Sequence, residues 1–311
     1  MHLIIQIPCF NEEQTLPAVL DDLPEDMPGI DTMEVVVIDD GSEDQTSKIA
    51  KEAGCTVLQH ESNRGLGEAF RTGLAHARHA GADILVNTDG DNQYPGEKIR
   101  ELVETLVSNR VDIVIGDRQP GRVQHFSRTK QFFQRLGSLT VSSLAGVTVN
   151  DAVSGFRAYG KDAIANLHPT TKFSYVLDTL MQAQADNLTI TSIPIVPNET
   201  TRESRLFDSM WQHIWQSGKD ILRLYTIYKP FKTFLYTGLV PFIAGSVIGI
   251  RFLYFLIQGD GSGHIQSLIA ASILIIAAVI LFALGVIGEL LRTNRDVSEQ
   301  LFRELRQQTS K

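Results

Sequence analysis

The sequence predicts an α/β domain built on a mostly parallel, doubly wound sheet, followed by an amphipathic helix and two apolar helices of membrane length. Three observations carry this expectation. Short β-branched runs alternate with helically spaced segments through the first third of the chain. Polar motifs fall just after those runs, where the carboxyl ends of parallel strands gather ligands. The apolar residues, 43% of 311, are unevenly spread and dominate the stretch from Tyr236 to Gly288.

Taken in order, the expected strands are Leu3–Ile7, Glu34–Ile38, Thr56–Gln59, Asp83–Asn87 and Asp112–Ile115. The helical spacing between them covers Glu13–Leu23, Asp44–Ala53, Leu66–Ala80 and Gly96–Ser108. No basic leader or small-residue cleavage site precedes Leu3, so no signal peptide is expected, and the N-terminal domain is expected to stay where it was made. Beyond Gly121 come a basic helix at Arg128–Leu144, a loop at Asn150–Tyr159, a helix at Tyr175–Ala185, a strand at Leu188–Ile195 and a polar loop at Pro197–Arg205.

Phe207–Tyr228 places Phe207, Trp211, Ile214, Trp215, Ile221, Leu222 and Tyr225 at helical spacing beside Lys219 and Arg223. Such a helix suits a membrane interface; a surface helix packed on the domain has the same pattern, and the apolar spans that follow favour the interface. Tyr236–Ile257 and Ile265–Gly288 are each long enough, at about 1.5 Å per residue, to cross a hydrocarbon core of roughly 30 Å. Lys219, Arg223, Lys229 and Lys232 precede the first span, and Arg292, Arg295, Arg303 and Arg306 follow the second. The connector Gln258–His264 has no Lys or Arg, so both ends are expected in the cytoplasm. Arg251 lies near the outer end and can snorkel. Gly245-Ser-Val-Ile-Gly249 has the spacing of a helix-packing motif, open to self-association into a homo-oligomer. The expected domains are 1–206 for the catalytic part, 207–232 for the juxtamembrane helix, 233–290 for the two-helix anchor and 291–311 for a cytoplasmic tail.

Composition excludes several classes. A net charge of −8 argues against a nucleic-acid partner. Cys9 and Cys55 give neither zinc spacing nor a disulfide framework. Two spans with one charge offer no polar path for a transporter.

The chemistry lies in the strand-end motifs. Asp89-Gly-Asp91-Asn-Gln93 follows an apolar strand, and two carboxylates one residue apart can hold a hard divalent cation, Mg²⁺ or Mn²⁺, against a diphosphate. Asp-Gly is also a common turn, and the companion motifs decide between the readings. Pro8-Cys-Phe10-Asn-Glu12 ends the first strand and Asp39-Asp40-Gly-Ser42 the second, placing acids where ribose hydroxyls or a base N–H can be bound. Asn63-Arg-Gly65-Leu-Gly67 opens a helix whose N-terminus favours anions. Each could be a turn or cap alone; together they mark one edge of one sheet.

This set, with Asp117-Arg118 and Ser154-Gly-Phe-Arg157, resembles the family 2 glycosyltransferases of GT-A fold, most closely the dolichyl-phosphate mannose synthases and polyprenyl-phosphate glucosyltransferases. The resemblance covers nearly the whole soluble part. It implies that Pro8, Phe10, Glu12, Asp39 and Asp40 hold the nucleoside of a nucleotide-sugar donor, and that Asp89, Asp91 and Gln93 hold the metal and diphosphate. Arg118 would approach the donor phosphates or sugar, and Asp151 the reacting carbon, as base or orienting carboxylate. Thr201–Leu206 resembles a phosphate-binding loop, which implies Arg202, Ser204 and Arg205 as contacts for a polyprenyl or dolichyl phosphate acceptor; the family's glycine near this serine is missing. Arg128, with Lys130 and Arg135, is placed to steer the acceptor phosphate, or to form a solvated face.

The expected reaction is an inverting, in-line transfer to an acceptor oxygen that is already ionised, so positioning and charge stabilisation matter more than a strong base. A membrane enzyme acting on a glycolipid or polysaccharide is the alternative. Processive relatives carry Gln-x-x-Arg-Trp, which Gln212-His-Ile-Trp215 is not. A non-catalytic nucleotide-sugar scaffold would be expected to lose Glu12, Asp89 or Asp91, and all three are present.

Overall fold

The computed structural model describes residues 1–118, 151–169, 175–198, 219, 222–223, 225–259 and 262–309. Two compact units make up the chain, Met1–Gln212 and His213–Lys311.

In the first unit strands and helices alternate: β1 (His2–Cys9), α1 (Leu16–Asp21), β2 (Thr32–Asp39), α2 (Thr46–Glu52), β3 (Thr56–Gln59), α3 (Leu66–His79), β4 (Ile84–Asn87), α4 (Lys98–Asn109) and β5 (Ile113–Asp117). They are followed by β6 (Arg157–Gly160), α5 (Lys161–Asn166), α6 (Tyr175–Ala185) and β7 (Ile190–Pro194). The seven strands form one sheet in the order β3-β2-β1-β4-β6-β5-β7. Pairing is parallel between β1 and β2, β1 and β4, β2 and β3, and β5 and β7. β4 and β5 are buried along their whole length and β1 from Leu3 onward, as strands covered on both faces require. Leu3, Ile5 and Ile7 of β1 share a core with Val86, Val114, Leu102 and Phe156.

One expectation is corrected. Asn150–Tyr159 does not run as a loop to its end: Arg157–Gly160 is a strand, antiparallel to both β4 and β5. Its first residue is a fully buried arginine, which hid it. Arg157 donates to the carbonyls of Ser154 (2.8 Å), Val176 (3.0 Å) and Ala152 (2.9 Å) and to Thr179 Oγ1 (3.1 Å), so the guanidinium is satisfied by the backbone it gathers. The expected helix at Asp44–Ala53 begins at Thr46 instead, because Asp44 Oδ1 accepts the Thr46 N–H at 2.9 Å from outside the first turn.

The second unit contains two long helices, α7 (Pro230–Ile257) and α8 (Ile265–Thr309), joined through a short turn at Ser262–His264. Within Pro230–Ile257 an 18-residue stretch has a mean hydropathy of 2.0, and within Ser262–Arg295 one of 2.9; both helices are long and apolar enough to cross a membrane. α8 continues past that window as helix to Thr309, where a tail was expected. The glycine motif serves contact between these two helices: a β-carbon on Gly245 would lie 3.0 Å from Ile275 Cγ1 and Leu274 Cβ, and one on Gly249 would lie 3.7 Å from Ala271 Cβ. Of the amphipathic segment, Lys219, Leu222, Arg223 and Tyr225–Tyr228 are described, and they are helical.

Candidate active site

The carboxyl ends of β1, β2 and β4 lie side by side, because Cys9 is in register with Asp39, and Gln6 with Asn87. The chain leaving β1 is tied to the chain leaving β2. Asn11 takes a left-handed turn at φ 56°, its N–H donates to Ser42 Oγ (2.9 Å), and its Oδ1 accepts the Glu43 N–H (2.8 Å). The Glu12 N–H donates to Thr46 Oγ1 at 2.8 Å. Phe10 remains 39% exposed at this edge, available to a planar ligand.

Asp39 and Asp40 are buried, and their oxygens are in use. Asp39 accepts from the Ser42 N–H (2.8 Å) and the Ser47 hydroxyl. Asp40 accepts the N–H groups of Arg64 (2.9 Å) and Gly65 (2.8 Å), and its Oδ1 lies 2.6 Å from His60 Nδ1. His60 Nε2 reaches Thr72 Oγ1 on α3 at 2.9 Å. Asp40 thus fixes the loop that opens α3.

The end of β4 is built differently. Asp89 Oδ1 is buried without a hydrogen-bond partner. Burial, then the charges of Asp91 and Glu12, push the Asp89 carboxyl up to about 7, with Arg118 opposing. Gly155 borders it, since a β-carbon there would lie 3.4 Å from Asp89 Oδ2 and 2.9 Å from the Tyr175 hydroxyl. Between the two aspartates, Gly90 leaves no room for a side chain: a β-carbon would meet Cys9 Sγ at 2.7 Å and Glu12 Cγ at 3.3 Å. The Thr15 hydroxyl lies between the Gly90 carbonyl (2.7 Å) and Glu12 Oε2 (2.8 Å), tying the turn to β1's exit. Asp91 Oδ1 accepts the Gln93 N–H at 3.1 Å.

Beside this turn Arg118 makes a two-pronged ion pair with Asp151, Nε to Oδ2 at 2.7 Å and Nη2 to Oδ1 at 3.0 Å, and its own N–H adds a third bond at 3.2 Å. Asp151 is 1% exposed. A carboxylate so held orients the guanidinium.

Residues not expected from sequence complete the wall. The Tyr94 hydroxyl accepts the Gly155 N–H at 3.2 Å while its ring stacks on Phe156 at 5.1 Å. Asn87 Nδ2 donates to the Gly155 carbonyl (2.9 Å) and lies 3.2 Å from the Tyr175 hydroxyl. Burial raises both phenols and keeps them protonated. Tyr94 directly follows the Asp89–Gln93 motif, which is the signal that could have found it; Asn87 and Tyr175 carry no such signal. Arg128, Arg202, Ser204 and Arg205 lie outside the described residues.

The donor set fits a hard divalent cation. An orphaned carboxylate oxygen on Asp89 and a second carboxylate two residues on are suited to Mg²⁺ or Mn²⁺, which take oxygen ligands. Among the described residues no group of three His, Cys, Asp or Glu forms a cage. That agrees with an ion bound by one or two carboxylates and completed by substrate phosphates.

Comparisons with known proteins agree with this geometry. The model of Glycosyl transferase family 2 matches residues 4–167. The UDP-N-acetylglucosamine–dolichyl-phosphate N-acetylglucosaminyltransferase of Methanococcus voltae is 28% identical over 211 residues, 61% of this chain and 82% of that protein. The dolichyl-phosphate hexose transferase of Haloferax volcanii is 30% identical over 209 residues, 66% of this chain and 86% of that one. Glucosyl-3-phosphoglycerate synthase of Mycobacterium tuberculosis, solved with Mn²⁺, UDP-glucose and phosphoglyceric acid, matches with a TM-score of 0.56 at 24% identity, over 72% of this chain and 79% of that one, a likeness of GT-A fold. With the matched span holding the strand ends, the aspartate pair and Asp151 alike, this chain belongs to glycosyl transferase family 2 and is a glycosyltransferase.

Proposed function

We propose that this enzyme transfers a hexose, with inversion, from a nucleotide-sugar of the GDP-mannose or UDP-glucose type to a dolichyl or polyprenyl phosphate. The observation that carries the reading is the Asp89–Arg118 region. A buried carboxylate oxygen without a partner sits beside a guanidinium locked by Asp151, a pairing of cation site and fixed positive charge suited to a diphosphate leaving group. The lipid acceptor is supported by two apolar helices in the same chain and by relatives named for dolichyl and undecaprenyl phosphates.

In this reading Asp89, Asp91 and Gln93 hold Mg²⁺ or Mn²⁺, which supplies charge neutralisation at the diphosphate. Pro8, Phe10, Glu12 and Asp39 frame the nucleoside, and Asp40 holds their neighbouring loop in place. Arg118 faces the donor phosphates, with Asp151 as its positioning partner rather than a base. The acceptor phosphate is ionised and needs little deprotonation. Arg202, Ser204, Arg205 and Arg128 would receive it. Residues 1–206 form the catalytic domain, 207–232 an interfacial helix, 233–290 the anchor and 291–311 the tail. Basic residues on both flanks of the helix pair, and none in its connector, support a cytoplasmic catalytic domain.

A donor screen tests this. Purified protein in detergent, with Mn²⁺ and a short polyprenyl phosphate, is offered labelled GDP-mannose, UDP-glucose, UDP-galactose and UDP-N-acetylglucosamine. Organic-extractable label from one donor is the expected result and identifies the sugar. Metal-dependent nucleotide binding without a lipid product would transfer the reading to a glycolipid or glycan acceptor.

A further inference from the structure

The turn that carries Asp91 is held from a distant part of the chain. Asn92 sits at φ 59°, in the left-handed region that asparagine enters more readily than most residues with a side chain. Asp91 itself fixes one side through the Gln93 N–H. The other side is held by Asn198: its N–H donates to the Gln93 carbonyl at 2.9 Å, and its Nδ2 donates to the Asn92 carbonyl at 3.1 Å. Both carbonyls of the turn are thus engaged by one residue more than a hundred positions away in sequence.

The same segment braces Arg118. β7 runs parallel to β5, with Pro194 in register with Asp117. Past the strand the Ile195 N–H donates to the Asp117 carbonyl at 2.8 Å, and the Ile195 side chain is 2% exposed against Gly116. Residues 195–198 therefore run from the core at Ile195 to the Asp91 turn at Asn198.

From this we infer that Asn198 is a positioning residue for the divalent cation: it sets the Asn92–Gln93 backbone, and through it the Asp91 carboxylate, in a fixed relation to Arg118. The inference rests on the proposed metal-dependent donor site and deepens it. Without the side-chain bond the Asn92 turn has one clamp fewer, and Asp91 samples rotamers that do not meet the ion.

Binding of Mn²⁺, read by electron paramagnetic resonance of the free ion in the presence of UDP or GDP, is the test. In Asn198→Ala the Mn²⁺ dissociation constant is expected to rise about three- to tenfold, the effect of one lost hydrogen bond. Thr189→Ala is the control. Its hydroxyl binds Asp112 Oδ2 at 2.7 Å at the opposite end of the β5–β7 pair, so it reports general loosening of that edge. It is expected to leave Mn²⁺ binding unchanged while lowering the unfolding midpoint. Equal Mn²⁺ affinity in Asn198→Ala and wild type, or equal weakening in both variants, overturns the assignment. No nucleotide-dependent Mn²⁺ binding by wild type would remove the metal site itself, a separate outcome that takes the inference with it.

Discussion

Two strand ends on either side of β1 carry aspartates and use them in opposite ways. At β2, Asp40 is closed on every side, by two backbone N–H groups and His60. At β4, Asp89 is half-buried as a residue, but its Oδ1 is buried with no partner and its carboxyl is pushed up to about 7. Burying a carboxylate costs several kcal/mol unless hydrogen bonds replace its water. The first aspartate is compensated within the protein and holds structure; the second is left for something from outside to compensate. Satisfaction, not burial or motif membership, separates scaffold from site.

Exchanging the roles of the two ends should fail in opposite ways. Asp91→Ala, at the open end, is expected to lower transfer by about 10³-fold through lost charge stabilisation, while the unfolding midpoint moves little because the bond it gives up, from the Gln93 N–H at 3.1 Å, is only part-buried. Steady-state rates and thermal melts on one preparation check both halves. Arg118→Ala strands Asp151 in the interior and is expected to destabilise by about 4 kcal/mol in urea titration, besides lowering activity. The double change with Asp151→Ala should recover part of that stability. Asp40→Ala, at the closed end, is expected to cost about 3 kcal/mol of stability by leaving two N–H groups and His60 unpaired, while substrate affinity in the surviving folded fraction changes less than for Asp91→Ala.

The open end also has a signature in pH. The folded Asp89 carboxyl keeps its proton up to about 7, whereas an unfolded one releases it near 4. Between those values the folded state binds more protons, so its stability falls as pH rises, by at most about 1.4 kcal/mol per unit. Urea midpoints in EDTA from pH 4 to 7 should show this slope in wild type relative to Asp89→Asn. Mn²⁺ with nucleotide should reduce it; parallel curves for the two proteins would contradict the buried, uncompensated carboxyl.

The sequence displayed the parallel strands because each is a short apolar run that stops at a polar motif, as at Ile84–Asn87 before Asp89. β6 was not legible for the same reason reversed: Arg157 reads as solvent-facing and is fully buried, and its partners are carbonyls and a threonine that become neighbours only after folding. The site was visible as residue types, Asp89, Asp91 and Arg118, but not as bonding. Nothing in the spelling of Asp39-Asp40 reveals that Asp40 is spent on Arg64 and Gly65, or that Asp151 pairs with Arg118. Asn198 lay unnoticed in a polar loop because its importance is a matter of tertiary distance.

The contact of Gly90 on Cys9 has a kinetic consequence. The chain has two thiols; Cys55 is half-buried and Cys9 is covered by the turn between the aspartates. Burial raises the Cys9 thiol well above its usual range and so keeps it unreactive. An alkylating reagent reaches it only when its cover opens, so the rate of Cys9 modification is expected to report opening around the Asp89–Asp91 turn, with Cys55 as the internal reference.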